Sequence, residues 1–97
     1  MYFLSFTSEA KENLKELKSS RHLEKRFKAV SKALKYLVED PRHPGLQTHL
    51  YSSIFGPNKE KVFEAYAEQD TPSAYRVFFY YGHRRGEIVV FAITPHP

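Results

Sequence analysis

The residues best suited to chemistry lie in the last quarter of the sequence. Arg76 stands in an aromatic and aliphatic run, Tyr75–Tyr81, and His96 follows a second apolar run. A cation among such neighbours is costly to bury, so we expect Arg76 to face water or an anion on the open face of a sheet. A guanidinium binds phosphate oxygens in pairs, and histidine exchanges protons near neutral pH. Together these two residues predict a site that handles phosphate.

Carboxylates and tyrosines are expected on the same face as Arg76. Successive side chains of a strand point to opposite faces, so residues two apart share a face. Glu64, Tyr66 and Glu68 therefore share one face of the strand that precedes Arg76, and Tyr80 shares the face of Arg76. If helices cover the other face, these side chains line an exposed cleft with a histidine at its rim.

Composition predicts one domain over residues 1–97. The 97 residues are 41% hydrophobic and 15% aromatic, which is enough for a core without disulfides or a structural metal. There are no cysteines, which excludes thiol catalysis, thiolate metal sites and disulfide bonds. His22, His43, His49 and His83 lack metal-ligand spacing, so we expect no metal or other cofactor.

The sequence carries no pattern typical of secretion or of a membrane span. The start, Met1–Phe6, is short and has no basic flank, and no apolar run approaches the roughly 20 residues that a span requires. We therefore expect an intracellular, soluble protein of the cytoplasm.

Positive charge is concentrated in the first half of the chain. The formal net charge is +4, and residues 9–42 contain ten of the fifteen Lys and Arg but six of the eleven Asp and Glu. Basic side chains gain by releasing counterions from a polyanion, which favours nucleic acid as a partner. The candidate contacts are Lys25, Lys28, Lys32 and Lys35. The alternative is a solvated helix face with no binding role.

Two helices are predicted after a short first strand, Tyr2–Phe6. Thr7 or Ser8, followed by an acid, is typical of a helix start. A second helix is indicated by one apolar stripe formed by Leu23, Phe27, Val30, Leu34 and Leu37. Asp40-Pro41 ends it, because the residue before proline avoids the helical region.

Strands are predicted in the second half of the chain. The candidate segments are Leu46–Leu50, Lys61–Glu68, Ala74–Tyr81 and Glu87–Thr94. Short loops join antiparallel neighbours. The expected fold is therefore α+β: a strand, two helices and an antiparallel meander sheet, with the helical hairpin packed on one face.

The order of these elements and several short motifs resemble the RelE/ParE superfamily, the toxins of bacterial type II toxin–antitoxin systems. In that family two helices precede an antiparallel sheet, and one strand carries a functional arginine. The matching pieces are Asp40-Pro41 after the second helix, Leu46–Leu50 after a loop, Ala74–Phe78 with Arg76, and Ile93–His96. The resemblance covers nearly the whole chain and depends on the order and spacing of these pieces.

The resemblance implies a RelE/ParE-like fold and, for the RNA-cleaving branches, a toxin that cuts messenger RNA in the ribosomal A site without a metal. It implies that Arg76 holds the scissile phosphate and that His96 acts as an acid. Glu64 or Glu68 is the candidate general base. Tyr66 and Tyr80 are candidates for stacking on bases, and the four lysines are candidates for binding RNA. The implied partners are a cognate antitoxin in a hetero-oligomer, messenger RNA and the ribosome.

This chain departs from the family pattern at two places. Some members carry a lysine pair where this chain has Glu64 and Tyr66. Others carry a tyrosine after the histidine, where this chain has Pro97. These departures leave the identity of the general base open. They bear less on the class of reaction.

Structural alternatives exist for the same residues, and two further functions remain open. Arg76 could pair with Glu64 or Glu68 across neighbouring strands, as opposite charges commonly do. His96 could have no role. The ParE branch of the superfamily inhibits DNA gyrase by binding it, without catalysis, and fold alone does not separate the branches. A degenerate member would keep antitoxin binding alone.

Overall fold

Two helices and five strands build the protein in a computed structural model, which describes residues 1–95. The predicted α+β class is confirmed. The bounds are β1 Phe3–Phe6, α1 Ser8–Ser19, α2 Glu24–Glu39, β2 His49–Phe55, β3 Lys61–Tyr66, β4 Tyr75–Tyr81 and β5 Glu87–Pro95.

The five strands form one mixed sheet in the order β1-β5-β4-β3-β2. The last four strands run antiparallel to their sequence neighbours, because short connections leave no room for a crossover. β1 lies beside β5 and runs parallel to it, with Phe3 opposite Glu87 and Phe6 opposite Val90. The first strand of the chain therefore forms one edge of the sheet, next to the last strand.

The two helices begin and end close to the predicted signals. The side chain of Thr7 accepts a hydrogen bond from the backbone N–H of Ala10 at 3.2 Å, which satisfies an otherwise free donor of α1. α2 ends at Glu39, directly before Asp40 and Pro41. Within residues 1–95, neither helix is long and apolar enough to cross a membrane.

The main core lies between the helices and one face of the sheet. Val77 and Phe79 of β4 point into it, as the alternation of side chains predicts. Each large apolar side chain buried in this way contributes roughly 1.5–3 kcal/mol. The other fully or almost fully buried members are Ala10, Leu17, Val30, Ala33, Leu37, Leu46, Ala65, Ile88, Val90 and Ile93.

The opposite face of the sheet carries a smaller apolar cluster of Val62, Phe78 and Ala92. The turn between β2 and β3 approaches the loop after β4, where Asn58 Nδ2 lies 3.4 Å from His83 Nε2. Tyr51 of β2 and Phe91 of β5 pack against this cluster, so the face is less open than the sequence predicts.

The predicted strand at Leu46–Leu50 is wrong in position. Pro44–Leu46 forms a 3-10 turn that brings Leu46 into the main core, and Gln47 takes a left-handed backbone conformation with φ 46°. The strand starts at His49, three residues later than predicted. The buried leucine anchors the loop, and pairing with β3 then decides where the strand begins.

Candidate active site

His49, Glu64 and Arg76 come together from three neighbouring strands on the face opposite the helices. His49 Nε2 lies 2.7 Å from Glu64 Oε1, and Arg76 Nη1 donates a hydrogen bond to Glu64 Oε2. His49 is directly opposite Glu64 in the pairing of β2 with β3. Arg76 reaches Glu64 diagonally, because its direct partner on β3 is Tyr66. We call these three residues the Glu64 cluster.

Arg76 lies on the predicted face but is buried, so the expectation of an exposed arginine is wrong. Its side chain is 10% exposed and that of Glu64 is 3% exposed. The guanidinium also lies over the ring of Phe78, 5.1 Å from its centre. The ion pair and the aromatic contact together make burial of this cation tolerable.

One donor of Arg76 is left unpaired. Its Nε is buried, and no residue in the described part of the chain accepts a hydrogen bond from it. A buried polar group without a partner costs about 1–3 kcal/mol. This N–H is therefore a buried hydrogen-bond donor whose bonding capacity is unused within residues 1–95.

His49 is a site residue that sequence reasoning missed. Its Nδ1 lies 3.0 Å from the backbone carbonyl of Gln47, and its Nε2 contacts the carboxylate of Glu64. Both ring nitrogens therefore lie within hydrogen-bond distance of an oxygen atom of the protein. The side chain is 46% exposed, so solvent reaches the ring. The position of His49 opposite Glu64 depends on strand register, which the sequence around it does not indicate.

Glu68 does not join Glu64, although the alternation of side chains predicts a shared row. β3 ends at Tyr66, so alternation no longer applies two residues later. Glu68 Oε1 instead lies 3.2 Å from Arg26 Nη1 of α2 and accepts a hydrogen bond from the backbone N–H of Tyr75 at 3.1 Å. Glu68 therefore links the sheet to the helical layer.

The two candidate tyrosines occupy different surroundings. The ring of Tyr66 lies 5.5 Å from the ring of His49 and borders the Glu64 cluster. Tyr80 is buried further along β4, where its ring lies 5.9 Å from that of Phe91. Burial raises the pKa of Tyr80, and the charges of nearby carboxylates add to that shift. Tyr66 is therefore the better placed of the two to contact a base beside the cluster.

The candidate lysines lie on the other side of the sheet from the Glu64 cluster. Lys25, Lys28, Lys32 and Lys35 are all exposed on α2, which packs on the main-core face of the sheet. Lys28 Nζ lies 3.7 Å from Glu24 Oε1, and Lys32 Nζ lies 5.6 Å from the centre of the Tyr36 ring. The lysines form a separate basic surface.

His96 lies outside the described residues. The last described pairs of β4 and β5 join Arg76 with Thr94 and Tyr75 with Pro95. The proposed acid role of His96 stays a prediction. Among residues 1–95, no group of three His, Asp or Glu side chains is arranged to hold a metal ion.

Comparisons with protein-family models, curated proteins and solved structures find no match to this chain. A functional assignment therefore depends on the residues of the Glu64 cluster and their geometry.

Proposed function

We propose that this protein is the toxin of a type II toxin–antitoxin system and that it cuts messenger RNA on the ribosome as a metal-independent endoribonuclease. The observation that carries the proposal is the Glu64 cluster, in which a histidine, a carboxylate and an arginine meet on one sheet face. The order of elements, with two helices between the first strand and an antiparallel meander, also agrees with a RelE/ParE-like fold. A cognate antitoxin is the expected protein partner.

RNA can be cleaved by its own 2′-hydroxyl group when a protein supplies three functions. A base removes the hydroxyl proton, and the oxygen then attacks the adjacent phosphorus. A cation stabilises the extra negative charge on the phosphate, and an acid gives a proton to the leaving 5′-oxygen. The products are a 2′,3′-cyclic phosphate and a free 5′-hydroxyl.

Glu64 is better suited to orient His49 than to act as the base. Its carboxylate is buried between two partners, His49 and Arg76, so removing a hydroxyl proton would require it to give up those contacts. His49 is held by Glu64 through Nε2, while its Nδ1 contact to Gln47 is exposed and can exchange for substrate. His49 is therefore the proton-transfer group of the cluster, and Glu64 is its positioning residue.

Arg76 supplies the positive charge for the phosphate. Its Nε has no acceptor within residues 1–95, so a phosphate oxygen can bind there without first breaking an existing hydrogen bond. The guanidinium is nearly covered, so the substrate must displace part of that cover to reach it. His96 remains the candidate for the second proton-transfer group.

The test is cleavage of RNA in cells and in solution. Primer extension on cellular transcripts after brief expression should reveal new 5′ ends within translated regions. Purified protein with ribosomes and messenger RNA should cut in the presence of a chelator and leave 2′,3′-cyclic phosphate ends. A His49→Gln variant should no longer produce these cuts. The control variant His83→Gln should produce them as the wild type does. Intact transcripts under growth arrest by the wild-type protein would refute the nuclease.

A second candidate is a ParE-like protein that inhibits DNA gyrase without catalysis. The burial of Arg76 in an ion pair with Glu64 favours this alternative, because a structural pair needs no substrate. In that case the purified protein inhibits supercoiling by gyrase, and the His49→Gln variant inhibits it equally well.

A further inference from the structure

We propose that an open cleft beside the Glu64 cluster binds a guanine base of the RNA substrate. The cleft has a volume of about 510 Å³ and is lined by Gln47, Tyr66 and the loop residues 68–74. Its size lies within the range of roughly 300–1,000 Å³ that is typical of small-ligand sites. This inference depends on the proposed function, because it names the base that lies next to the cut.

The cleft and the Glu64 cluster share two residues at their border. Tyr66 lines the cleft, and its ring lies 5.5 Å from the ring of His49. Gln47 also lines the cleft, and its backbone carbonyl contacts His49 Nδ1. Bases of single-stranded RNA stack on exposed aromatic rings. A base stacked on Tyr66 therefore lies beside the group that transfers the proton.

The hydrogen-bonding groups of the cleft favour guanine. Glu68 and Asp70 both line it, and an ionised carboxylate accepts hydrogen bonds but donates none. Oε1 of Glu68 already accepts hydrogen bonds from Arg26 and from the backbone N–H of Tyr75. Asp70 is exposed, so its carboxylate is the acceptor that we assign to the base. The Watson–Crick edge of guanine carries two adjacent donors, N1–H and the N2 amino group, which one carboxylate can accept together. Adenine and cytosine place an acceptor beside their amino group, and uracil has one donor between two carbonyls.

The loop that forms the cleft is held in place by α2 and by the 3-10 turn Pro44–Leu46. Arg26 Nη1 donates a hydrogen bond to the carbonyl of Ser73 at 2.8 Å and another to Glu68 at 3.2 Å. Gln69 Nε2 donates to the carbonyl of Gly45 at 2.9 Å. A loop that is fixed before binding loses less conformational entropy when the base enters.

Nucleotide titrations followed by NMR test the site without requiring cleavage. We expect 5′-GMP to shift the backbone amides of residues 68–74 and to bind more tightly than AMP, CMP or UMP. Asp70→Asn should weaken GMP binding about tenfold and leave AMP unchanged. Asn tolerates the left-handed backbone at this position, where φ is 56°, so the loop should keep its shape. Glu12→Gln on the exposed side of α1 is the matched charge control and should bind GMP normally.

A second variant separates stacking from hydrogen bonding. Tyr66→Ala should weaken all four nucleotides, whereas Asp70→Asn should affect GMP alone. Equal affinity for the four nucleotides, or GMP shifts confined to other residues, would overturn the guanine site. If GMP binds as expected but no RNA is cut, the site stands and the nuclease fails. If RNA is cut without guanine preference and GMP does not bind, the nuclease stands and the site fails.

Discussion

Glu64 and Arg76 form a diagonal ion pair across β3 and β4. In the register of these strands Glu64 lies opposite Phe78, and Arg76 lies opposite Tyr66. Both charged side chains are buried, and the guanidinium contacts one oxygen of the carboxylate while His49 contacts the other. The carboxylate of Glu64 therefore holds together three strands on the face that carries the candidate active site.

Removing the arginine should lower the stability of the fold. Arg76→Met leaves the carboxylate of Glu64 buried with His49 alone, and breaking a buried pair typically costs about 3–5 kcal/mol. In a domain of this size that cost lowers the melting temperature by more than roughly 10 °C. Thermal unfolding followed by circular dichroism measures the change. The sequence alone did not predict this cost, because it placed Arg76 on the open face of the sheet.

The double variant Arg76→Met, Glu64→Leu is the control for this prediction. It removes both charges, so it should recover at least half of the stability lost in the single variant. A melting temperature of Arg76→Met within about 2 °C of the wild type would contradict the buried pair.

Arg76→Lys keeps the positive charge but loses the planar fork of the guanidinium, so this variant should cut RNA more slowly than the wild type.

His49 should be required for cleavage but not for folding. His49→Gln is expected to slow RNA cleavage by roughly two to four orders of magnitude, the range for loss of a general acid or base. Because the side chain is half-exposed, its loss should change the free energy of unfolding by about 1 kcal/mol or less. Single-turnover cleavage rates between pH 5 and 8, together with thermal melts, measure both effects.

The same experiment on His96 tests whether a second histidine takes part in proton transfer. His96→Gln, or deletion of His96 and Pro97, should also slow cleavage by roughly two to four orders of magnitude and leave antitoxin binding intact. His83→Gln, which alters an exposed histidine in the loop after β4, should cut at the native rate. Native cleavage by His49→Gln at every pH would give His49 a structural role only.

The basic surface of α2 should affect the binding of large RNA and not the chemical step. Replacing Lys25, Lys28, Lys32 and Lys35 with Gln removes charge from the side of the molecule that faces away from the Glu64 cluster. We expect weaker ribosome binding and a shallower salt dependence, by up to about 0.7 in the log–log slope per lysine that contacts single-stranded RNA. The single-turnover rate of messenger RNA cleavage at a saturating concentration of ribosomes, which no longer depends on the binding step, should be unchanged.

A control variant tests whether the position of the lysines on α2, and not only their charge, determines ribosome binding. A second variant replaces Lys11, Lys15 and Lys18 of α1 and removes a similar amount of charge from the other helix. It should weaken ribosome binding less than the α2 variant. An identical salt slope in the α2 variant and the wild type would mean that α2 does not contact RNA.

Glu87 should stabilise the fold in a manner that depends on pH. Hydrogen bonds from Ser5 at 2.7 Å and from Arg84 at 3.1 Å lower its pKa from 4.5 to about 2. Because the folded pKa is below the unfolded one, the stabilisation is present above about pH 4.5 and is lost as the pH falls towards 2. Melting curves of the wild type and Glu87→Gln should therefore differ at pH 6 and converge near pH 2.

Ser5→Ala is the matched variant for this prediction because it removes the largest cause of the lowered pKa. Its melting temperature should also approach that of the wild type as the pH falls. A difference between wild type and Glu87→Gln that is the same at pH 6 and pH 2 would show that the carboxylate charge does not contribute.

Local patterns in the sequence were enough for the helices and for the faces of β4. The cap at Thr7, the stripe from Leu23 to Leu37 and the stop at Asp40-Pro41 all act within a few residues, so they can be read without knowing the fold. The alternation along Tyr75–Tyr81 correctly places Val77 and Phe79 on the face that packs against the helices and Arg76 on the opposite face. Each of these features depends on backbone geometry alone.

The composition of the candidate site was decided by tertiary structure. His49 belongs to it because β2 pairs with β3 in one register, and residues 51–55 of β2 alternate too weakly to indicate that register. Glu68 leaves the row because the strand ends at Tyr66 and Arg26 binds its carboxylate. Arg76 is buried because Glu64 lies diagonally across from it. Partners that are distant in sequence set these outcomes, and a local pattern carries no information about which distant residue will be opposite.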